Sequence, residues 1–166
     1  MIFEELKGRV KLADQSTYTQ KDNYYYYWRT QEDKDYIIYC RKRDSMQNPE
    51  EILLDVNKLA EGKKFTTIGA FAISPDHKLM AYSADFTGGE KYTIAIFDLA
   101  NKKFLADQIQ NTIGDVVWHE NGEGFFYTPL DENWRHDKVM FHKLGTNNNE
   151  DKLIYHEKDV LYSVSV

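Results

Sequence analysis

The chain has 166 residues, a formal net charge of −6, and twelve Tyr and nine Phe against three Pro. That length favours one domain with room for a core, and the aromatic content suits half-buried strands better than helices. The acidic balance argues against a nucleic-acid or anionic-membrane surface, since both need clustered Lys and Arg. The one basic run, Arg41-Lys42-Arg43, precedes Asp44 and follows Glu32, Asp33 and Asp35, as at a solvated strand end.

In chain order, Phe3 and Leu6 lie three apart and predict a short helical turn stopped by Gly8. Residues 14–23 are polar and predict a connector. The aromatic run Tyr24-Tyr25-Tyr26-Tyr27-Trp28 opens the β region, and a polar turn at residues 31–35 leads to a second strand over residues 36–41. Five consecutive aromatics cannot all face one core of an alternating strand. Either both faces of the strand are covered, as in a central blade strand, or one face, with Tyr26 and Trp28, meets a partner or ligand. Cys40, the single cysteine, makes no internal disulfide, which fits a reducing compartment and a buried structural thiol. Ile52-Leu53-Leu54 predicts a third strand, and Asp55 and Gly62 bracket one helical turn.

The next unit predicts four strands, over residues 66–73, 79–84, 92–97 and 104–109, with turns at Ser74-Pro75-Asp76-His77, Gly88-Gly89 and Asn101-Lys102. A third unit predicts strands over 115–119, 124–128, 138–143 and 152–155. Its longest loop carries Trp134 and Arg135, an exposed aromatic beside a cation and hence a second candidate contact. Residues 161–166 predict the first strand of a fourth unit.

The second and third units repeat. At an offset of 45, residues 72–99 lie over residues 117–144, so that Leu79 to Ser83 falls on Gly124 to Thr128 and Thr93 to Phe97 on Lys138 to His142. Four short strands in about 40–50 residues is the size of a propeller blade, and closed propellers have roughly 4–8 of them. The predicted fold is all-β: about three four-stranded antiparallel blades of an incomplete, open β-propeller behind a short N-terminal helical segment. Residues 1–23 form the helical turn and connector; blades cover about 24–62, 63–111 and 112–159, and the fourth begins at 160–166. The first blade matches more loosely, with Tyr27 lying 55 before Tyr82 and Tyr36 lying 56 before Tyr92, and lacks a clear first strand before Tyr24.

Catalytic signals are scarce. None of Ser16, Ser45, Ser74, Ser83, Ser163 or Ser165 sits in a G-x-S-x-G elbow. Gly122 and Gly124 lack the third glycine and the strand-to-helix setting of a dinucleotide site. The five His have no metal-ligand spacing, and the carboxylates cluster in turns, so no catalytic residue, metal or cofactor is predicted. The first 25 residues lack a signal-peptide pattern and no apolar run reaches the roughly 18 residues of a membrane span, which predicts a cytoplasmic chain.

Several segments resemble one family. Tyr24-Tyr25-Tyr26-Tyr27-Trp28-Arg29-Thr30, Tyr36-Ile37-Ile38-Tyr39-Cys40-Arg41-Lys42, Glu50-Glu51-Ile52-Leu53-Leu54-Asp55-Val56-Asn57 and His142-Lys143-Leu144-Gly145-Thr146 are similar to the N-terminal β-propeller of the oligopeptidase B branch of the prolyl oligopeptidase family. Glu4 to Val10 resembles the segment leading into that propeller. His136 stands where such proteins usually have Pro, and His77 where they have Gly. The resemblance implies a seven-bladed propeller gating short peptides, cleaved after Arg or Lys by a hydrolase domain whose Ser, Asp and His have no counterpart here. It therefore implies a chain inactive alone, completed by a complementary chain with the remaining blades and hydrolase domain or self-associating through open edges. The alternative is a stand-alone binding module using Tyr26, Trp28, Trp134 and Arg135 as its contact face.

Overall fold

The structure, a computed structural model, describes residues 2–9 and 13–166. The chain forms two compact units, Met1–Gly62 and Lys63–Val166. The predicted lead-in segment ends at Val10, which lies outside the described residues.

The first unit begins with helix α1 (Ile2–Gly8). Its sheet runs in chain order through β1 (Thr19–Lys21), β2 (Tyr24–Arg29), β3 (Ile38–Arg43) and β4 (Glu51–Asp55). Strand β1 lies where the sequence predicts only a connector. All three of its side chains are exposed, so no apolar alternation marks it; the backbone ladder from Thr19↔Tyr26 to Lys21↔Tyr24 and a turn with Asp22 at φ 53° make it a strand. It supplies the first strand that the sequence pattern lacked. Strand β3 starts two residues later than predicted because the Tyr36 backbone is taken by a side chain. Its N–H donates to Asn57 Oδ1 at 2.9 Å, and its carbonyl accepts from Asn57 Nδ2 at 2.8 Å. The same Asn57 sits in helix α2 (Val56–Leu59), capped by Asp55, whose carboxylate accepts from the Asn57 N–H. Beyond it Gly62 takes φ +73°. Tyr27, Ile38 and Cys40, with Tyr18 against them, make the small core.

The second unit holds two sheets. One is β5 (Thr67–Ile73), β6 (Leu79–Asp85), β7 (Tyr92–Asp98) and β8 (Lys103–Thr112); the other is β9 (Val117–Trp118), β10 (Gly124–Tyr127), β11 (Lys138–Lys143) and β12 (Lys152–His156), with a 3₁₀ turn over Asn148–Glu150. The sequence repeat persists as pairing register. Met80↔Phe97, Ala81↔Ile96 and Tyr82↔Ala95 become Phe125↔His142, Phe126↔Phe141 and Tyr127↔Met140 when 45 is added, and Ile73↔Met80 becomes Trp118↔Phe125. Turn hydrogen bonds follow the same rule: Leu99 N–H to Lys78 O recurs as Leu144 N–H to Glu123 O. Every backbone bond so repeated is independent of side-chain identity, so the shared register reports one folding unit used twice.

The two sheets bury Ala81, Ile94, Ile96, Ile109, Val116, Phe125 and Tyr127 in one core, each large side chain contributing about 1.5–3 kcal/mol. The Trp118 indole N–H donates to Ala72 O at 3.2 Å and so ties β9 to β5, while its ring meets Phe125 edge-on at 5.8 Å. Residues 161–166, predicted as a strand, pair with no strand among the described residues. They are held instead by a pair of bonds between Val164 and His136, Val164 N–H to His136 O at 2.9 Å and His136 Nδ1 to Val164 O at 2.8 Å, and by Val166 N–H to Asp115 Oδ2 at 2.8 Å. Among the described residues, no helix is long and apolar enough to cross a membrane.

Candidate functional site

In the first unit the aromatic run of β2 sorts by alternation. Tyr27 is buried and faces Cys40 and Tyr18, its ring 4.7 Å edge-on from that of Tyr18. Glu50 closes this side. It accepts from the Tyr27 hydroxyl and, at 2.9 to 3.2 Å, from Nε and Nη2 of Arg29. Those bonds, with Arg29 foremost, outweigh burial and bring the Glu50 carboxyl down to about 2, while burial, with Glu50 nearby, pushes the Cys40 thiol up to about 12. A thiol so held is not a nucleophile.

Tyr24, Tyr26 and Trp28 point to the other side. Tyr26 is half-buried, and burial raises its hydroxyl against the opposing pull of Arg41. Arg41 is itself buried, 4.4 Å from the Tyr24 ring centroid, with Nε donating to Glu51 Oε2 at 2.8 Å. Trp28 is 39% exposed. Of the four predicted contact residues, then, Tyr26 belongs to an Arg-aromatic layer and Trp28 is the open one of this pair.

In the second unit two loops wall a cavity of about 430 Å³, lined by Glu90, Tyr92, Ile113, Leu130, Trp134 and His136. Each loop is built around one aspartate. In the β6–β7 loop, the Asp85 carboxylate accepts from the N–H groups of Thr87, Gly88 and Glu90 and from the Thr87 hydroxyl. In the β10–β11 loop, Asp131 accepts from the N–H groups of Asn133 and Arg135. These cages hold Glu90 at φ 55° and Trp134 at φ 63°, left-handed conformations that cost a non-glycine residue energy and are kept only where surrounding bonds enforce them. Beside Tyr92, Gly114 takes φ +97°, and a Cβ there would stand 2.8 Å from the Tyr92 ring, so glycine lets that ring lie against the backbone.

Trp134 is 48% exposed, and the Lys91 ammonium lies 4.4 Å from its ring centroid. Arg135, predicted as its partner in contact, is otherwise engaged. Its Nη2 donates to Asp159 O at 2.8 Å and Glu157 O at 3.3 Å, and Nη1 lies 3.8 Å from Asp137, so it braces the loop.

A buried polar network went unseen in the sequence. His142 is fully buried, with Nδ1 2.7 Å from Asp151 Oδ1 and Nε2 3.1 Å from Asp107 Oδ1. Tyr127 donates its hydroxyl to Asp151 at 2.7 Å, and Gly145 its N–H to Asp107. Asp107 comes from β8 and His142 from β11, so the ring bolts one sheet to the other. The only signal was a polar residue at an inward strand position, where the repeat has Phe97.

The whole chain, residues 1–166, matches the model of the prolyl oligopeptidase N-terminal β-propeller domain. The chain belongs to the prolyl oligopeptidase family. Within that family it is 33% identical to Protease 2 of Moraxella lacunata over 99% of this chain and 25% of that protein, and 32% identical to dipeptidyl aminopeptidase BI of Pseudoxanthomonas mexicana over 95% and 24%. The solved oligopeptidase B of Leishmania major superposes with a TM-score of 0.90 at 34% identity, over 98% of this chain and 23% of that one. The chain thus spans about a quarter of the length of the curated relatives it matches. The three four-stranded antiparallel sheets are blades of the family's propeller, and the oligopeptidase B resemblance drawn from the tyrosine run stands.

Proposed function

We propose that these residues are the opening blades of an oligopeptidase B-type propeller that screens short peptides on their way to a serine nucleophile these 166 residues do not contain. The observation that carries this is the match of the propeller model to the entire chain with no nucleophile elbow in it. On this reading the chain alone cleaves nothing. The activity it serves is endopeptidase hydrolysis after Arg or Lys, and its loops limit entry while the hydrolase domain performs acyl transfer. A cytoplasmic setting goes with a single, buried cysteine.

The test is complementation. The purified chain is mixed with a polypeptide carrying the remaining blades and the hydrolase domain, and assayed on short arginyl and lysyl peptides. The expected result is no turnover from the chain alone and a gain on mixing that a serine-reactive inhibitor abolishes. Turnover by the chain alone, after rigorous removal of host peptidases, or the absence of any gain on mixing, overturns the proposal.

A further inference from the structure

We propose that the cavity between the β6–β7 and β10–β11 loops is a subsite for the basic side chain of a peptide, an ammonium or guanidinium held between the Glu90 carboxylate and the face of Trp134. The lining suits a cation carried on an apolar stem, with Ile113 and Leu130 beside the polar and aromatic groups. It contains a carboxylate, two aromatic rings and a histidine, with no Lys or Arg among its six residues. The Glu90 side chain has no hydrogen-bond or ion-pair partner among the described residues, although its backbone is fixed by Asp85. His136 is tied down on its other side, Nδ1 donating to Val164 O at 2.8 Å. Burial, together with the charges of Asp85 and Glu90, pushes the Tyr92 hydroxyl up.

The structure also shows a cation at one wall. The Lys91 ammonium lies 4.4 Å from the Trp134 ring centroid, within the roughly 6 Å at which an aromatic face attracts a cation. A ligand's ammonium would take that place while Lys91, which is exposed, swings to solvent. The size is suitable too, since about 430 Å³ falls in the lower part of the roughly 300–1,000 Å³ range of small-molecule sites. Both walls are held in left-handed backbone conformations by aspartate cages, so the backbone from which the carboxylate and the indole project is fixed before any ligand arrives.

This inference deepens the peptide-screening reading and rests on it for the identity of the ligand, but its test needs no hydrolase domain. The 166-residue chain is titrated with the amides of Nα-acetyl-lysine, Nα-acetyl-arginine and Nα-acetyl-norleucine, following the Trp134 indole and the Glu90 and Tyr92 amides by ¹H–¹⁵N NMR. The two basic amides are expected to shift these resonances, and the norleucine amide is not. Glu90→Gln weakens binding about 5- to 10-fold, the size of one ion pair or cation–π contact. Lys91→Met strengthens it, because the competing internal ammonium is gone. Norleucine amide binding as well as the lysine amide, equal affinity in Glu90→Gln, or no shifts with any probe overturns the subsite. A chain that fails here yet gains activity in the complementation assay loses the subsite and keeps its place as a peptide screen.

Discussion

Replacing His142 by Leu tests whether the buried network holds the second unit together. The imidazole is wholly inaccessible, and the carboxylates it faces, Asp107 and Asp151, have side chains only 6% and 1% exposed. Leucine fills much of the space but offers no donor. Two hydrogen bonds to charged groups are lost at about 1.5–3 kcal/mol each, so the expected destabilisation is about 3–6 kcal/mol. Gly145 N–H and the Tyr127 hydroxyl remain on the two aspartates, which favours the lower end. Against a total stability of about 5–15 kcal/mol for a domain, the loss is large. With a urea slope of about 2 kcal/mol/M, the midpoint falls by about 1.5–3 M. Urea unfolding followed by tryptophan emission measures it, Trp118 lying against Phe125 in the same core. The triple variant Asp107→Asn, His142→Leu, Asp151→Asn recovers part of the loss, because His142→Leu chiefly strands charge. A loss below about 1 kcal/mol, the scale of an ordinary surface change, would refute the reasoning.

Two further outcomes follow from the Glu50 cluster. With its carboxyl brought from an ordinary 4.5 to about 2, foremost by Arg29, Glu50 contributes stability that is fully present above about pH 4.5 and is lost as pH falls toward 2. Glu50→Gln should therefore remove that part of the acid dependence of the urea midpoint, and identical pH profiles for both chains would contradict the assignment. Cys40, buried and with its thiol pushed up to about 12, should ignore a disulfide-exchange reagent at about pH 8 in the folded chain and react fully once unfolded; rapid reaction of the folded chain would show that the thiol is open.

The second and third blades were legible because their strands alternate or run apolar between turn residues, and because the repeat confirmed each by the other. The first blade was harder. Thr19, Gln20 and Lys21 expose every side chain, so the strand exists only in backbone bonds that no hydrophobic pattern encodes. Asn57 shortened the next strand by reaching back 21 residues to Tyr36, again without a pattern. At the cavity, Trp134 was visible as an aromatic in a long loop, but its counterpart Glu90 lies 44 residues earlier in a turn that looks merely polar. The repeat gave no hint either: under the 45-residue shift Glu90 falls on Arg135 and Trp134 on Gly89, and the β10–β11 loop is longer than the β6–β7 loop, so the two walls are not equivalent positions. The engagement of Arg135 was not legible for a physical reason, since Glu157 and Asp159 bind it through carbonyl oxygens that sequence does not display.

The offset-preserving register has a consequence for how such a protein changes. Where one copy has Phe97 and the other His142, the backbone pairing is the same, so what distinguishes the copies is an address written in side chains rather than a shape. A blade moved to another slot would bring its backbone bonds with it and lose only its adhesive: Phe97 would arrive where Asp107 of the neighbouring blade faces an imidazole. Neighbour recognition in this architecture is thus carried by a few polar substitutions on an interchangeable frame, and rearranging the ring means rewriting those labels rather than redesigning the strands.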